Sequence, residues 1–349
     1  MPYSAKINRA NPSCFLFVID ESGSMDESME SGRSKAQFVA DVLNKTLAEL
    51  IPQCTKADGV RAYFDVGVIT YSGFGVGSGL GGNLSEGILH PISVINKNPI
   101  RIEEHNRKVE GGLISRSLKF PVWFEPRSLG GTPMREALTK AAEVLAEWSA
   151  NHPHSYPPTL IHVTDGQSTD GNPEAAAAAL QQIATSDGQC LIFNLHLNGS
   201  SDGRLAFPAA EDGLPDQYSK LLFKMSSPFP PHLVEVAQRM GYRHVTPESR
   251  FFMYKASREF IVHFFDIGTR TSQIHEDNER PHAAAVRMRR DDEQRKSAAV
   301  TVEPPKGDRP LSSLFLTPLP GWAGRFGLAH PRLRPWATRL RPSEAEKEI

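Results

Sequence analysis

Cys14-Phe15-Leu16-Phe17-Val18-Ile19-Asp20-Glu21-Ser22-Gly23-Ser24-Met25 is the stretch on which the fold turns. Phe15 to Ile19 form an apolar run rich in aromatic and β-branched residues. It is too short for a typical helix and suits a strand buried on both faces, as a parallel sheet requires. The run stops at Asp20, and hydroxyls follow at Ser22 and Ser24. These oxygens therefore fall at the carboxyl end of a buried strand, where open α/β sheets bind ligands.

The chain after Met25 alternates helical and strand patterns. Phe38, Val39, Val42, Leu43, Leu47, Leu50 and Ile51 share one face of a helix that is expected to end before Pro52. Residues 60–70 read as a second strand, which completes a βαβ unit. The glycine-rich stretch 71–83 lacks the Gly-Lys-Ser/Thr ending of a phosphate loop and is expected to be a surface loop. Residues 86–95 read as a short edge strand because of Pro91, and 96–128 carry no assignable pattern.

Leu129-Gly130-Gly131-Thr132-Pro133 opens a helix whose apolar face is Met134, Leu138, Ala141, Leu145 and Trp148. Pro133 is expected at its first position and Thr132 at its N-cap. Thr159 to Val163 repeats the opening theme, an apolar run that ends in Thr164-Asp165-Gly166. Asn172-Pro173-Glu174 starts a further helix, and 190–197 reads as a strand. Residues 216–225, 231–240 and 257–269 read as helices. The expected fold class is α/β, an open doubly wound, mostly parallel sheet with helices on both faces, over residues 1–270.

Residues 271–349 break this pattern and are expected to form a Pro/Arg-rich disordered tail. They carry 14 Lys and Arg against 11 Asp and Glu, leaving 25 against 29 for residues 1–270. The tail is thus net positive and the body net negative. Between Pro310 and Arg341 stand Arg325, Arg332, Arg334, Arg339 and Arg341, interleaved with Trp322, Phe326 and Trp336. Such a segment can contact polyanions, whereas the net charge of −1 for all 349 residues argues against binding them by bulk charge. Cys14, Cys54 and Cys190 are odd in number and widely spaced, which suits reduced core thiols. With no signal-peptide pattern at the N-terminus and no apolar run long enough for a span, the expected location is cytoplasmic.

Asp20, Ser22 and Ser24, together with Thr132 and Asp165, resemble the metal-ion-dependent adhesion site (MIDAS) of the von Willebrand factor A (vWA) family, over roughly residues 10–270. The resemblance implies that Ser22, Ser24 and Thr132 supply hydroxyl ligands and that Asp20 and Asp165 hold the metal directly or through water. It also implies a six-stranded sheet with one antiparallel edge strand. Hard oxygen donors of this kind suit Mg²⁺, or Mn²⁺ in its place. The implied function is non-enzymatic, a protein-binding adaptor or assembly module whose ion bridges to an Asp or Glu of a partner protein. In such a module Thr132 can serve as helix cap in one state and metal ligand in another. The chain is similar to intracellular bacterial stress-related and tellurium-resistance-associated members, which occur with kinase, phosphatase or ATPase partners.

Two other classes compete with this reading. A metal-dependent phosphoester hydrolase would use the same ion to activate water. It lacks a second aspartate two residues after Asp20, a Gly-x-Ser-x-Gly elbow and a paired His-Glu motif, and His162 and His196 fall inside expected strands. A nucleic-acid adaptor would use the basic tail, with the body as its platform.

Overall fold

The computed structural model describes residues 2–29, 32–108, 115–198 and 203–270. The Pro/Arg-rich segment 271–349 lies outside the described residues. Among the described residues ten strands and seven helices stand out: β1 (Ser13–Asp20), α1 (Lys35–Cys54), β2 (Phe64–Ser72), β3 (Gly75–Ser78), β4 (Leu89–Pro91), α2 (Ile92–Ile95), β5 (Arg101–Lys108), β6 (Ser115–Val122), α3 (Met134–Asn151), β7 (Thr159–Thr164), α4 (Glu174–Gln182), β8 (Leu191–Leu197), β9 (Leu205–Ala206), α5 (Gln217–Met225), α6 (Pro231–Arg239), β10 (Phe252–Ala256) and α7 (Arg258–Gly268). Two-residue ladders at 55–60 and 184–189 and two short 3₁₀ turns complete the set.

The central sheet runs β9-β10-β8-β7-β1-β2-β3, with β4 also pairing with β2. Its middle five strands, β10-β8-β7-β1-β2, are parallel. The sheet is doubly wound. The chain steps from β1 outward to β2, then crosses back to place β7 on the other side of β1. This reversal makes the carboxyl ends of β1 and β7 the topological switch point, where such folds leave a crevice.

β1 is buried along its whole length, and its side chains divide between two cores. Phe15, Phe17 and Ile19 join α1, α2, α6 and α7 on one face. Cys14, Leu16 and Val18 join α3, α4 and α5 on the other. Each such apolar side chain contributes about 1.5–3 kcal/mol by leaving water, so β1 is fixed in register from both sides. Cys14, Cys54 and Cys190 are free and buried. Among the described residues no helix is long and apolar enough to cross a membrane.

Several expectations need correction. Among the described residues the sheet has eight strands, not six, and β3, β4 and β9 are all antiparallel to their neighbours. The second strand begins at Phe64 and runs to Ser72, while Gly59–Val60 pairs back on Thr55–Lys56. α1 passes through Pro52, which sits in its last turn. The glycine-rich stretch contains an edge strand, β3, and 86–95 is divided between β4 and α2. The patternless 96–128 holds an antiparallel ribbon, β5 on β6. β10, unassigned from sequence, is the fifth parallel strand.

Candidate metal centre

Three loops meet at the switch point. The first continues β1 through Glu21 into a 3₁₀ turn, Gly23–Asp26, anchored by the fully buried Met25. Its backbone is tied sideways by Glu21 N–H to the Tyr71 carbonyl at 2.9 Å and by Gly23 N–H to the Gly130 carbonyl at 2.9 Å. The second, Leu129 to Pro133, is tied in turn by Leu129 N–H to the Glu21 carbonyl at 2.7 Å. It packs so closely on the β2–β3 turn that a Cβ on Gly73 would meet Gly130 Cα at 2.8 Å. The third follows β7. Thr169 Oγ1 accepts from Thr132 N–H, and Thr169 N–H donates to the Thr132 carbonyl, both at 2.9 Å.

These ties bring four of the five singled-out residues into one chain of hydrogen bonds and set the fifth beside them. Asp20 is fully buried. Its Oδ1 accepts from Ser22 N–H at 2.8 Å and its Oδ2 from Thr164 Oγ1 at 2.7 Å. Ser22 Oγ and Ser24 Oγ are 3.1 Å apart. Ser24 Oγ donates to Asp165 Oδ1 at 2.7 Å. A Cβ on Gly166 would come to 3.8 Å of Thr132 Oγ1 and 3.9 Å of Ser24 Oγ, so both hydroxyls face the space that this glycine keeps open.

Thr132 does not cap α3. The cap residue is Pro133, and the free N–H groups of Arg135 and Glu136 are taken by Asp170 Oδ1 and Oδ2 at 3.0 and 2.8 Å. Asp170 comes from the loop after β7, and its second-loop partner could not be read from local spacing. With the cap supplied in this way, the Thr132 hydroxyl has no hydrogen-bond partner among the described residues. In this geometry Thr132 therefore does not serve as the helix cap.

Burial dominates the electrostatics. It pushes the Asp20 carboxyl up to about 6, against the hydrogen bonds from Ser22 and Thr164 that lower it. Glu21 is pushed up to about 7 by burial, opposed by a hydrogen bond from Thr70 and by the Arg127 charge. Negative charge is thus unfavourable here unless a cation accompanies it. One cation is built in. Lys35, the first residue of α1, places Nζ 2.7 Å from Asp165 Oδ2 and 2.6 Å from Glu27 Oε2. Burial alone would lower its pKa, but the two carboxylates outweigh this and hold it above its ordinary value.

The donor set fits a hard divalent cation through its hydroxyls. Ser24 directs its proton to Asp165, so Ser22 is the donor in the Ser22–Ser24 contact and one lone pair of Ser24 stays free for a cation. Among the described residues no group of three or more His, Cys, Asp or Glu is placed to hold a metal, so a site here would work through oxygens of Ser and Thr. Sequence reasoning missed Lys35, Glu27, Thr164, Thr169 and Asp170. Thr164 adjoins Asp165 and was in view, whereas nothing in the amphipathic pattern of α1 singles out Lys35.

The histidines weighed for hydrolysis are placed otherwise. His162 is fully buried between Tyr71 OH at 2.8 Å and Asn194 Oδ1 at 2.9 Å, and burial lowers its pKa to about 4. His196 stacks on Tyr254 at 4.8 Å and is likewise lowered to about 4 by burial.

No protein-family model matches this chain, and no curated protein matches it. Solved structures similar to it include the pilus adhesin SpaC from Lactobacillus rhamnosus GG, with 13% identity over 75% of this chain and a TM-score of 0.43. The manganese-loaded TRAP protein of Plasmodium vivax has 11% identity over 75% of this chain and 76% of its own, with a TM-score of 0.35. The vWF domain of the type V pili tip protein Mfa5 from Porphyromonas gingivalis has 11% identity over 45% of this chain and a TM-score of 0.24. The chain spans only 30% of SpaC and 39% of the Mfa5 domain.

Proposed function

We propose that the chain is a vWA-type, divalent-metal-dependent protein-binding module, with Mg²⁺ or Mn²⁺ held at the switch point by Ser22, Ser24 and Thr132 and backed by Asp20 and Asp165. The observation that carries this reading is the approach of the Ser24 and Thr132 hydroxyls to Gly166 from two loops, with Ser22 and Asp165 hydrogen-bonded to Ser24 and Asp20 to Ser22. The ion would supply a Lewis-acidic position facing solvent, and its remaining ligand would be an Asp or Glu of a partner protein. The chain's own part is to orient three hydroxyls. Asp20 fixes the first loop through Ser22 N–H, and Asp165 orients Ser24. This reading assigns no reaction to the chain. An adaptor or assembly role in the cytoplasm, with a kinase, phosphatase or ATPase as partner, belongs to the same proposal and rests on the family resemblance.

A thermal-shift titration with Mg²⁺ and Mn²⁺ on the wild type and Asp20→Ala tests the metal reading. A ligand at about a hundred times its Kd stabilises the folded state by roughly 2.7 kcal/mol, which is a readily measured upward shift. The shift is expected in the wild type alone. Equal responses in both proteins would mean that the hydroxyls and carboxylates are structural caps.

A further inference from the structure

Lys35 is the feature of the switch point that a set of hydroxyl and carboxylate ligands leaves unexplained. Its side chain is only 4% exposed, a rare state for lysine unless it is paired. Nζ reaches Asp165 Oδ2 at 2.7 Å and Glu27 Oε2 at 2.6 Å, and lies 3.5 Å from the Ser24 carbonyl. The two carboxylates are not equivalent. Glu27 is 67% exposed and its charge is screened by water, whereas the Asp165 side chain is fully buried. The buried counter-ion of Lys35 is therefore Asp165, one of the two carboxylates of the candidate metal centre.

We propose that Lys35 sets the charge of that centre, so that a bound divalent ion keeps one unit of positive charge for a partner's carboxylate. The proposal rests on the metal reading above. With Asp20 and Asp165 ionised and Lys35 charged, these three groups carry one net negative charge, and a divalent ion leaves one net positive. A single monoanionic side chain from a partner neutralises it. Were Lys35 neutral, the two aspartates would already balance the ion, which would be held more tightly and would have little electrostatic demand for a further anion. Lys35 thus weakens metal binding and strengthens partner binding. It acts through Asp165 and, because that carboxylate is spent on Lys35 and Ser24, it also favours hydroxyls over carboxylate as the ion's direct ligands. The same charge excess favours a monocarboxylate partner over a neutral amide of identical shape.

The test uses the full chain with Lys35→Met, Lys35→Gln and the charge-conserving Lys35→Arg. Mn²⁺ binding is followed by the electron paramagnetic resonance signal of the free ion. Carboxylate binding is followed, at saturating Mn²⁺, by paramagnetic broadening of the side-chain protons of N-acetylglutamate amide, with N-acetylglutamine amide as the neutral control. Expected are Mn²⁺ affinity about tenfold higher and carboxylate affinity several-fold lower in Lys35→Met and Lys35→Gln. Lys35→Arg should behave as wild type in both. Lys35→Gln keeps a donor for Asp165 and decides the matter if Lys35→Met does not fold. A merely structural lysine would give variants weaker in both measurements. That result, or no change in either, overturns the role of Lys35 and leaves the metal centre standing. Absence of Mn²⁺ binding in the wild type overturns the metal reading and this inference with it.

Discussion

Ser24 Oγ donates to Asp165 Oδ1 at 2.7 Å, a bond that joins the loop after β1 to the loop after β7 across the topological switch point. Both residues follow buried strands, and among the described residues no backbone hydrogen bond joins the two loops. Replacing Ser24 by Ala removes the donor and leaves one oxygen of a buried carboxylate unmatched. The expected loss of stability is about 1–3 kcal/mol, read as a lowered midpoint in urea. If Ser24 is also a metal ligand, the Mg²⁺-induced thermal shift should disappear in Ser24→Ala. A retained shift would separate the structural role of Ser24 from the metal-binding one and remove it from the donor set.

The interlocked glycines give a second prediction. A Cβ on Gly73 would lie 2.8 Å from Gly130 Cα and from Gly131 N, both backbone atoms that cannot swing aside, and Gly130 itself has φ +71°. Gly73→Ala should therefore displace the Leu129–Pro133 loop and cost about 1–3 kcal/mol. Because that loop carries Thr132, the metal response should weaken as well. Gly77→Ala, where nothing lies within 4 Å of the added carbon, is the control and should leave both measurements unchanged.

The frame of the site was legible because β1 and β7 are buried on both faces, which makes their sequences continuous apolar runs that end abruptly at Asp20 and at Thr164-Asp165. What lay hidden depends on contacts between distant segments. The first-turn N–H groups of α3 are satisfied by Asp170, and Thr132 was the nearest polar residue that local reasoning could offer. Lys35 looked like any charged residue at the start of an amphipathic helix, and only its approach to Asp165, 130 positions away, distinguishes it. The edges of the sheet were misread for a different reason. β3 is Gly-Val-Gly-Ser and β9 is Leu-Ala, too short and too poor in β-branched residues for a periodic signal.

Asp170 yields a third prediction. Burial pushes its carboxyl up, but Ser168 Oγ at 2.6 Å and the N–H groups of Glu136 and Arg135 hold it below the ordinary range. Asp170→Ala strips the cap from α3 and is expected to cost about 1 kcal/mol. Asp170→Asn keeps one acceptor and should cost less. Hydrogen exchange at Arg135 and Glu136 checks the assignment, since only loss of this cap should deprotect these two amides while those in the middle of α3 stay slow.

The buried pair Tyr71 and His162 supports a fourth. Asn194 Nδ2 donates to Ser226 Oγ at 2.9 Å, so Asn194 Oδ1 faces His162 and can only accept. This puts the proton on His162 Nδ1 and leaves Nε2 to accept from Tyr71 OH. Tyr71→Phe strands that nitrogen in the core and should cost about 1–3 kcal/mol at pH 7. The His162 pKa lies near 4 in the fold, below its unfolded value of about 6.5. Its contribution is present above that unfolded value and lost as pH falls toward 4. The double variant Tyr71→Phe, His162→Leu, in which neither polar group remains, should recover part of the loss in a urea titration.

Asp20 titrates with the opposite sign. Its folded-state pKa, about 6, exceeds the value of 3.8 expected for an exposed aspartate, because burial disfavours the charged form more than Ser22 and Thr164 favour it. The folded state therefore binds the Asp20 proton more tightly than the unfolded state does. Its stabilising contribution is complete below about pH 4 and is lost as pH rises through about 6, a change of roughly 3 kcal/mol for a shift of about two units. His162 runs the other way over an overlapping range, so the wild-type profile alone does not isolate either group. The difference between wild type and Asp20→Asn does. Without divalent ions, the stability of wild type relative to Asp20→Asn should fall between pH 4 and 7, measured by urea unfolding at fixed ionic strength. A cation at the switch point favours the ionised aspartate, so in excess Mg²⁺ the fall of the same difference between pH 4 and 7 should flatten. A difference curve indifferent to Mg²⁺ would show that the charge of Asp20 does not feel the ion.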